Sequence, residues 1–250
     1  MNTVERFSDR VANYVKYRPD YPREIVGYLK DAGVMNDDSL IADIGSGPGI
    51  SCRMFLENGN RVFGVEPNEA MRNAAVDHLC EFPNFTSING TSEATTLDDS
   101  SIDLVVAAQA FHWFDADKAR TEFRRILKPN GQVVLIWNER RLDADEFHRE
   151  YEALLLTYAN DYGSVRHENI AATELRAFFQ KDFAARSFAN QQVFDLDGLK
   201  GRMLSSSYMP NVDSPRYGEM TDELSALFAK HERNGRISVL YETNVYHSQL

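Results

Sequence analysis

Ten consecutive residues decide how the amino-terminal part of this 250-residue chain folds: Ile41-Ala42-Asp43-Ile44-Gly45-Ser46-Gly47-Pro48-Gly49-Ile50. A short apolar run leads into three glycines at alternate positions, and a helix-forming segment follows. A glycine loop between a strand and a helix lets a ligand approach the backbone and meet the positive end of the helix dipole. The dinucleotide-binding fingerprint G-x-G-x-x-G needs a small residue where Ile50 stands, and no Gly-Lys-Ser/Thr follows as in a P-loop. The stretch therefore predicts a ligand-binding turn of another kind.

Strand and helix signals alternate on both sides of this loop as far as residue 140. The predicted strands are Leu40–Ile44, Arg61–Val65, Phe85–Ile88, Ile102–Ala108 and Gln132–Trp137, and Lys128–Gly131 is predicted as a turn. The predicted helices are Pro22–Ala32, Ile50–Glu57, a helix capped by Asn68 that reaches about Cys80, and a helix capped by Asp115 that ends near Leu127. Continuously apolar strands that alternate with helices indicate a parallel sheet covered on both faces. We therefore predict an α/β, Rossmann-like fold.

The remainder of the chain has a different pattern, dominated by helix signals. The predicted helices are Asp145–Asp161, Ala171–Phe179, Leu196–Leu204 and a mostly helical Asp213–Asn234, and the predicted strands are Ala184–Phe194 and Arg236–Tyr246. No break in composition marks a second domain. We therefore predict a single domain over residues 1–250, with a cofactor-binding core at 1–140, a helical cap at 141–235 on the substrate side, and a final strand at 236–250.

Composition and charge narrow the class of ligand. The chain holds 27 basic and 38 acidic residues, a formal net charge of −11, and acidic residues outnumber basic ones on both sides of residue 140. Binding to nucleic acid or to an anionic membrane surface depends on clustered Lys and Arg, so both partners are disfavoured. Apolar runs such as Leu104–Ala108 fall far short of the ~20 residues that span a bilayer. With only Cys52 and Cys80 and no apolar leader among the first thirty residues, we expect a cytoplasmic protein that binds a small molecule.

Two acidic residues stand where predicted strands end, next to the glycine loop. Asp43 lies two residues before the first glycine, where its carboxylate can face a cationic group of a ligand. Glu66 follows the second strand, 21 residues beyond Gly45, where a carboxylate can accept hydrogen bonds from both ribose hydroxyls and would repel a 2′-phosphate. The alternative for Glu66 is a surface acid that precedes a helix. Thr91-Ser92-Glu93, after the third strand, can either contact an adenine edge or form an exposed acidic loop.

Taken together, these segments resemble the class I S-adenosylmethionine-dependent methyltransferases over roughly residues 7–140. The resemblance rests on Asp43-Ile44-Gly45-Ser46-Gly47-Pro48-Gly49, Val65-Glu66-Pro67 with Met71, Gly90-Thr91-Ser92-Glu93-Ala94, Ile102-Asp103-Leu104-Val105 and Leu127-Lys128-Pro129-Asn130-Gly131-Gln132. The small-molecule branch that includes ubiquinone/menaquinone-type and trans-aconitate-type methyltransferases is similar in Phe7-Ser8, Tyr17-Arg18-Pro19-Asp20-Tyr21-Pro22 and Phe111-His112-Trp113-Phe114. The resemblance implies a seven-stranded sheet whose last strand, Arg236–Tyr246 here, is antiparallel.

The same resemblance implies a cofactor and the residues that bind it. S-adenosylmethionine would be the methyl donor, and the transfer would be an in-line displacement on its methyl group that needs no metal. Asp43 would attract the ammonium group, the glycine loop would pass under the methionine part, and Glu66 would hold the ribose diol. The full set implied to bind the cofactor is Asp43, Gly45, Ser46, Gly47, Gly49, Glu66, Pro67, Met71, Ser92, Glu93, Gln109, Tyr14 and Arg18.

His112 is the candidate catalytic residue. It follows the most apolar strand by a few residues, and the carboxyl ends of parallel strands line the ligand crevice in such folds. A histidine there can take a proton from an acceptor hydroxyl near neutral pH. In the alternative interpretation, His112 only hydrogen-bonds its own loop or the adenine surroundings. Two interpretations are likewise open for Tyr14, Tyr17 and Arg18, which could form a lid over the cofactor or pack an amino-terminal helix.

Two further patterns favour structural roles, and alternative functions remain open. Asp143–His148 combines carboxylates with a histidine, but such a run is more typical of an acidic helix start than of a metal site. Cys52 lacks an accompanying His-Asp pattern, which favours a buried, inert thiol. The alternative functions are an NAD-dependent oxidoreductase on the same fold and a catalytically silent S-adenosylmethionine-binding protein. The sequence does not determine the acceptor atom (oxygen, nitrogen, carbon or sulfur) or the oligomeric state.

Overall fold

A seven-stranded sheet forms the centre of the computed structural model, which describes residues 15–159, 172–206 and 208–250. The strands are β1 Leu40–Ile44, β2 Arg61–Val65, β3 Phe85–Ile88, β4 Ile102–Ala108, β5 Leu127–Arg140, β6 Ala184–Phe194 and β7 Ile237–Ser248. Their order in the sheet is β3-β2-β1-β4-β5-β7-β6. The last strand, β7, is antiparallel to β5 and β6, and the other paired strands are parallel. The structure therefore confirms the Rossmann-like fold with seven strands and an antiparallel last strand.

Helices surround this sheet. In the described residues they are α1 Glu24–Asp31, α2 Ile50–Glu57, α3 Glu69–His78, α4 Ala116–Ile126, α5 Glu146–Tyr158, α6 Ala172–Phe179, α7 Leu196–Leu204 and α8 Tyr217–His231. The two predicted caps are confirmed: the Asn68 side chain accepts a hydrogen bond at the start of α3, and the Asp115 side chain does so at the start of α4. None of the helices in the described part of the chain combines the length and the apolar character needed to cross a membrane.

Both faces of the sheet are covered by apolar side chains, because successive residues of a strand point to opposite faces. Leu104 and Val106 of β4 belong to the core that α1 and α2 cover, whereas Val105 and Ala107 belong to the core that α4 and α6 cover. All four side chains are fully buried. The middle of a strand with a helical layer on each side is apolar on both faces, which is why β4 is apolar without a break from Leu104 to Ala108. Asp103, near the start of β4, is half-buried and accepts hydrogen bonds from Lys128 Nζ and the Leu40 N–H.

The predicted turn at Lys128–Gly131 is wrong, because these residues lie inside β5. This strand pairs Leu127 with Ile102 and then Gln132 with Leu104, so it carries an irregular insertion between the two pairs. One residue of this insertion, Asn130, still has the left-handed backbone conformation typical of turns, with a φ of +71°. The local turn signals therefore produce a bulge within a strand whose two ends are fixed by pairing with β4.

Other boundaries differ by a few residues from those predicted. The predicted helix Asp145–Asp161 ends at Tyr158 in the described residues, and residues 160 and 161 lie outside them. The predicted helix Asp213–Asn234 is shorter, since α8 begins at Tyr217 and ends at His231. The last strand continues to Ser248 instead of ending at Tyr246, because it pairs with β5 as far as Val133.

A third apolar core lies at the edge of the sheet where the parallel strands end. It contains Tyr151 of α5, Leu199 of α7, Leu224 of α8 and Tyr241 near the start of β7. Tyr241 pairs with Arg140, the last residue of β5, which places this core beside the carboxyl ends of the parallel strands. The name helical cap is used below for α5, α7 and α8.

Two elements of the range predicted as cap, residues 141–235, lie elsewhere. One is β6, which is the edge strand of the sheet, next to β7. The other is α6, whose Phe178 packs edge-on against Phe111 and Phe123, with ring centroids 4.6 Å and 6.2 Å apart. This contact buries α6 on a face of the sheet beside α4. The helical cap is therefore assembled from separate segments of the carboxyl-terminal part of the chain.

Candidate active site

The three glycines of the loop after β1 all have positive φ angles, but they meet different surroundings. A methyl group added at Gly45 would lie 2.6 Å from Cβ of Ala110, and one added at Gly49 would lie 2.5 Å from Cδ1 of Leu79. These two glycines therefore let the loop pack tightly against its neighbours. A methyl group at Gly47 would meet nothing within 4 Å. Gly47 thus leaves open space beside its backbone, which a ligand can use.

A cavity of about 250 Å³ opens next to this loop, at the carboxyl ends of β1, β2 and β4. Predicted cofactor residues that line it are Gly45, Gly47, Glu66, Pro67, Met71, Ser92, Glu93 and Gln109, and the other described lining residues are Asn68, Thr91, Ala110, Trp113 and Phe114. Most of the predicted set is therefore gathered around one cavity, although it comes from four separate loops. This is the position at which open α/β sheets bind their ligands.

Glu66 is fixed by backbone groups on both sides of the cavity. Its Oε2 accepts a hydrogen bond from the Gly47 N–H at 3.0 Å, and its Oε1 accepts one from the Asn68 N–H at 2.9 Å. Nη1 of Arg72 donates to the main-chain carbonyl oxygens of Glu66 and Pro67 at 2.9 Å and 2.7 Å. Burial raises the pKa of Glu66, and the two backbone N–H groups act in the opposite direction. The carboxylate is held in one orientation at the mouth of the glycine loop.

Asp43 lies behind the loop instead of in the described cavity wall. It is fully buried, and its Oδ2 accepts hydrogen bonds from Ser51 Oγ at 2.5 Å and from Cys52 Sγ at 3.1 Å. Burial raises the pKa of Asp43 to about 6. Its Oδ1 is enclosed and makes no hydrogen bond to the described residues. In this structure its carboxylate joins the loop to the first turn of α2, and its contact with a cationic ligand group stays a prediction.

Ser46 and Gly49, two other residues of the predicted cofactor set, also lie outside the described cavity wall. Ser46 is buried, and its backbone N–H donates to the carbonyl oxygen of Val65 at 3.2 Å. Gly49 is the residue immediately before α2, and Leu79 occupies the space beside its Cα. Both residues shape the loop, and their backbone requirements explain the motif at these positions.

The loop after β3 supplies a compact acidic turn at the other side of the cavity. Oε1 of Glu93 accepts hydrogen bonds from Ser92 Oγ at 2.7 Å and from the Asp115 N–H at 3.1 Å. Although burial acts to raise its pKa, these hydrogen bonds hold the pKa of Glu93 below its ordinary value. The turn is thereby attached to the start of α4, close to Trp113 and Phe114 of the cavity wall.

Gln109 and Asn138 connect the cavity to the outer strands, and Asn138 is a residue that the sequence reasoning missed. Nε2 of Gln109 donates to the carbonyl oxygen of Asn138 at 2.9 Å. Oδ1 of Asn138 accepts from Thr243 Oγ1 at 2.5 Å and from Asn190 Nδ2 at 3.1 Å, so its amide joins β5, β6 and β7. Its own Nδ2 donates to the carbonyl oxygen of Asp20 at 3.3 Å. A polar residue directly after the apolar run Gln132–Trp137 was the signal available in the sequence.

His112 lies in the short 3-10 turn that follows β4. It is half-buried, and its ring centroid lies 4.8 Å from that of Trp113. Trp113 belongs to the described residues that line the cavity, and His112 does not. The turn is therefore part of the site, while the role of His112 as a base stays a prediction.

The amino-terminal segment contacts the helical cap. Nη2 of Arg18 donates to the carbonyl oxygen of Ser205, just after α7, at 3.1 Å. The ring of Tyr17 lies so close to Gly201 of α7 that a methyl group there would be 2.2 Å from a ring carbon. Arg18 thus contacts the cap through its hydrogen bond to Ser205, and its predicted contact with the cofactor stays a prediction. Tyr14, Phe7 and Ser8 lie outside the described residues.

A metal site finds no support in the part of the chain that the structure describes, since no group of three or more His, Cys, Asp or Glu side chains is placed to hold an ion there. In the run Asp143–His148, Oδ1 of Asp145 caps α5 by accepting from the His148 N–H at 3.0 Å. Nε2 of His148 accepts from the Leu240 N–H at 3.0 Å, which ties α5 to β7. Cys52 is buried, and burial raises the pKa of its thiol. Asp145 and His148 therefore make structural contacts, and Cys52 is a buried thiol; that the protein needs no metal stays a prediction.

Comparisons with known proteins agree with this geometry. The methyltransferase domain family matches residues 42–135, from β1 into β5. An uncharacterised methyltransferase-like protein of Schizosaccharomyces pombe is 27% identical over 252 residues, 98% of this chain and 96% of that protein. A second uncharacterised methyltransferase of the same yeast is 36% identical over 135 residues, 54% of this chain and 53% of its own length. This second match spans only about half of each protein.

A solved structure named as a type II methyltransferase, from Anaeromyxobacter dehalogenans, has the same fold. It superimposes with a TM-score of 0.69 at 24% sequence identity and covers 93% of this chain and 98% of its own. Residues 42–135 carry a methyltransferase domain, and the relatives named above are methyltransferases by name. Together with the Rossmann-like fold, these matches support a class I S-adenosylmethionine-dependent methyltransferase. An NAD-dependent oxidoreductase on the same fold is not favoured by any of these matches.

Proposed function

We propose that this protein transfers a methyl group from S-adenosylmethionine to a small-molecule acceptor. The observation that carries the proposal is the fixed carboxylate of Glu66 in the cavity wall. Each of its oxygens accepts one backbone N–H, from Gly47 and from Asn68, and a carboxylate oxygen has a second acceptor site. These remaining sites suit the two hydroxyls of a ribose. The group is negatively charged, so it disfavours a 2′-phosphate.

The surroundings of Glu66 fit the other parts of the cofactor. Gly47 leaves open space in which the methionine part would pass close to the backbone, with Gly45 on the same side. Met71 and Trp113 offer apolar surface for the adenine, and Ser92 offers a polar edge. When bound, the cofactor supplies a methyl group activated by a sulfonium. The residues of this chain would bind and orient it, and good alignment of reactants contributes up to ~7–11 kcal/mol in such reactions.

A small acceptor is favoured over a macromolecule by charge and by the position of the helical cap. The formal net charge of −11 disfavours a nucleic-acid substrate. The cap lies at the same edge of the sheet as the cavity, where it would enclose an acceptor and exclude water from it. The 3-10 turn after β4 would lie between cofactor and acceptor. Its His112 would take a proton from an acceptor that cannot lose it unaided.

The proposal is tested in two steps on the purified protein. Calorimetric titration is expected to show binding of S-adenosylmethionine and S-adenosylhomocysteine and no binding of NAD or NADP. Tighter binding of a nicotinamide cofactor than of S-adenosylhomocysteine would overturn the cofactor assignment. A radiolabelled-methyl assay against a library of small metabolites then tests for transfer. Cofactor binding without methyl transfer to any acceptor would identify a catalytically silent binding protein.

A further inference from the structure

The helical cap contains a buried arginine whose polar partners are all uncharged. Arg202 of α7 is only 8% exposed. Its Nε donates to the hydroxyl of Tyr241 at 2.9 Å, and its Nη1 donates to Oγ of Ser206 at 3.1 Å and to Oγ of Ser205 at 3.5 Å. An arginine side chain remains charged in proteins. A full positive charge is therefore buried here against hydroxyl groups.

A second buried arginine, Arg140 at the end of β5, has a carboxylate partner in the helical cap. The side chain of Arg140 is 7% exposed, and its Nη2 pairs with Oε2 of Glu152 at 2.5 Å. Its guanidinium lies 5.2 Å from the ring of Tyr151. The fold thus supplies a carboxylate for one buried guanidinium, and among the described residues none is supplied for Arg202. Burial of a charge is costly unless an opposite charge and hydrogen bonds compensate it, so the Arg202 site is suited to an external anion.

Part of the Arg202 guanidinium is open to a ligand. Its Nη2 makes no hydrogen bond to the described residues. The same nitrogen keeps some solvent-accessible area. This nitrogen is therefore neither hydrogen-bonded to the described residues nor completely enclosed. The planar fork of a guanidinium matches the two oxygens of a carboxylate, which it binds by parallel hydrogen bonds.

Contacts connect this site to the cofactor cavity. Gln109 of the cavity wall bonds to Asn138 at the end of β5, and Asn138 bonds to the carbonyl oxygen of Asp20. The amino-terminal segment continues from there to Arg18, which bonds to the carbonyl oxygen of Ser205 beside Arg202. The strands β4 and β7 are two positions apart in the sheet, which corresponds to ~10 Å between them. The Arg202 site and the cofactor cavity therefore lie on neighbouring parts of the same edge of the sheet.

We propose that Arg202 binds a carboxylate group of the methyl acceptor, an inference that rests on the proposed function. The positive charge of Arg202 has no carboxylate partner among the described residues, and a bound carboxylate would supply the missing negative charge. Tyr241 orients the guanidinium, since its hydroxyl accepts from Arg202 and donates to Oε1 of Gln192 at 2.9 Å. Arg202 would thereby set the substrate class without contact to the reacting methyl group.

The test is a calorimetric titration of the full chain saturated with S-adenosylhomocysteine. The probes are acetate, succinate and citrate, with succinamide as the uncharged match of succinate, inorganic phosphate as a second anion, and potassium chloride to equalise ionic strength. At least one carboxylate is expected to bind saturably, whereas succinamide is not. The Arg202→Met variant is expected to lose that affinity at least tenfold. The control is Arg236→Met, because the Arg236 side chain is 58% exposed and lies 3.5 Å from Asp195.

Each outcome decides the proposal. Failure of all three carboxylates to bind, equal binding of succinamide, phosphate binding in their place, or undiminished affinity in Arg202→Met would overturn it. If Arg202→Met does not fold, Arg202→Lys replaces it, because lysine keeps the positive charge but lacks the planar fork of the guanidinium. A severalfold weaker carboxylate affinity in Arg202→Lys supports the proposal. An unchanged affinity overturns it. S-adenosylhomocysteine is titrated into the same proteins first. Loss of its binding is a failure of the proposed function, and loss of carboxylate binding alone is a failure of this inference.

Discussion

The carboxylate of Glu66 and the backbone N–H of Gly47 are joined by a hydrogen bond of 3.0 Å, so the end of β2 holds the glycine loop that follows β1. The two residues are 19 positions apart in the sequence and come from different βα connections. One side chain therefore fixes the loop and at the same time presents acceptor oxygens to the cavity. The predicted fold and the proposed cofactor site depend on the same contact.

Replacement of Glu66 by alanine is expected to weaken S-adenosylhomocysteine binding by ~1.5–3 kcal/mol, the usual contribution of a hydrogen bond to a charged group. This corresponds to about one to two orders of magnitude in dissociation constant, which calorimetry measures directly. The matched control is Glu69→Ala, because Glu69 is exposed in the first turn of α3 and does not line the cavity. Unchanged affinity in Glu66→Ala would show that another residue holds the ribose.

Substitutions at Gly45 and Gly47 are expected to have different effects, the first mainly on stability and the second mainly on cofactor binding. Gly45→Ala introduces a methyl group 2.6 Å from Cβ of Ala110 at a positive φ, so we expect a loss of ~2–4 kcal/mol in the free energy of unfolding from strain and overpacking. Gly47→Ala has the strain of its φ but no clash with the protein. It is therefore expected to keep more stability and to lose cofactor affinity. Urea denaturation and calorimetry on both variants check this, and the reverse order would contradict the assignment of the open space.

Asp43 is expected to make stability fall as pH rises between about 4 and 6. Burial raises its pKa to about 6 in the folded chain, above the value of an exposed carboxyl group, so the folded state binds the extra proton within this window. Deprotonation above it then costs on the order of 2–3 kcal/mol. Asp43→Asn removes this titration. Urea denaturation from pH 4 to 7 measures the free energy of unfolding of both proteins. We expect the difference between parent and variant to shift against the parent by this amount as the pH rises. Parallel curves for the two proteins would contradict the raised pKa.

The parallel core was predictable because its signals are local. β1, β2 and β4 are apolar runs that stop at glycine or at polar residues, and Asn68 and Asp115 mark the helix starts that follow. The same local logic failed at Lys128–Gly131, where pairing of both flanking segments with β4 absorbs a turn sequence into a strand. Tertiary pairing overrides turn propensity there.

The outer part of the site was not predictable for a different reason. Arg18 contacts Ser205 across 187 residues, and Asn138 contacts Asp20 across 118 residues. No sequence spacing reports such contacts. Asp43 was predicted to face the ligand because it lies at the end of a strand. Its hydrogen bonds from Ser51 and Cys52 could not be predicted, because they form only when α2 folds against the strand.

His112 can be tested as a base once an acceptor is known. If it takes a proton from the acceptor, His112→Ala is expected to lower turnover ~10²–10⁴-fold while the affinity for S-adenosylhomocysteine barely changes. If it supports its loop or the cofactor, affinity or melting temperature falls together with turnover. Full turnover in the variant would eliminate the base hypothesis. Trp113→Phe serves as the comparison, because Trp113 lines the cavity from the same turn and carries no basic group.

Asn138 is expected to connect the amino-terminal segment to the sheet. Its amide hydrogen-bonds Thr243, Asn190 and the carbonyl oxygens of Pro19 and Asp20, and it is 9% exposed. Removal of one member of a buried polar set leaves its partners unsatisfied, at ~1–3 kcal/mol for each such group. Asn138→Ala is therefore expected to lower the free energy of unfolding by at least ~1–3 kcal/mol and to speed hydrogen exchange in residues 15–20. The control is Ser187→Ala in β6, because the Ser187 hydroxyl donates to Oδ1 of Asn244 and makes no hydrogen bond to residues 15–20 or to Asn138. Equal exchange in the two variants would show that other contacts of the segment, such as Asn190 with Asp20 and Arg18 with Ser205, hold it without Asn138.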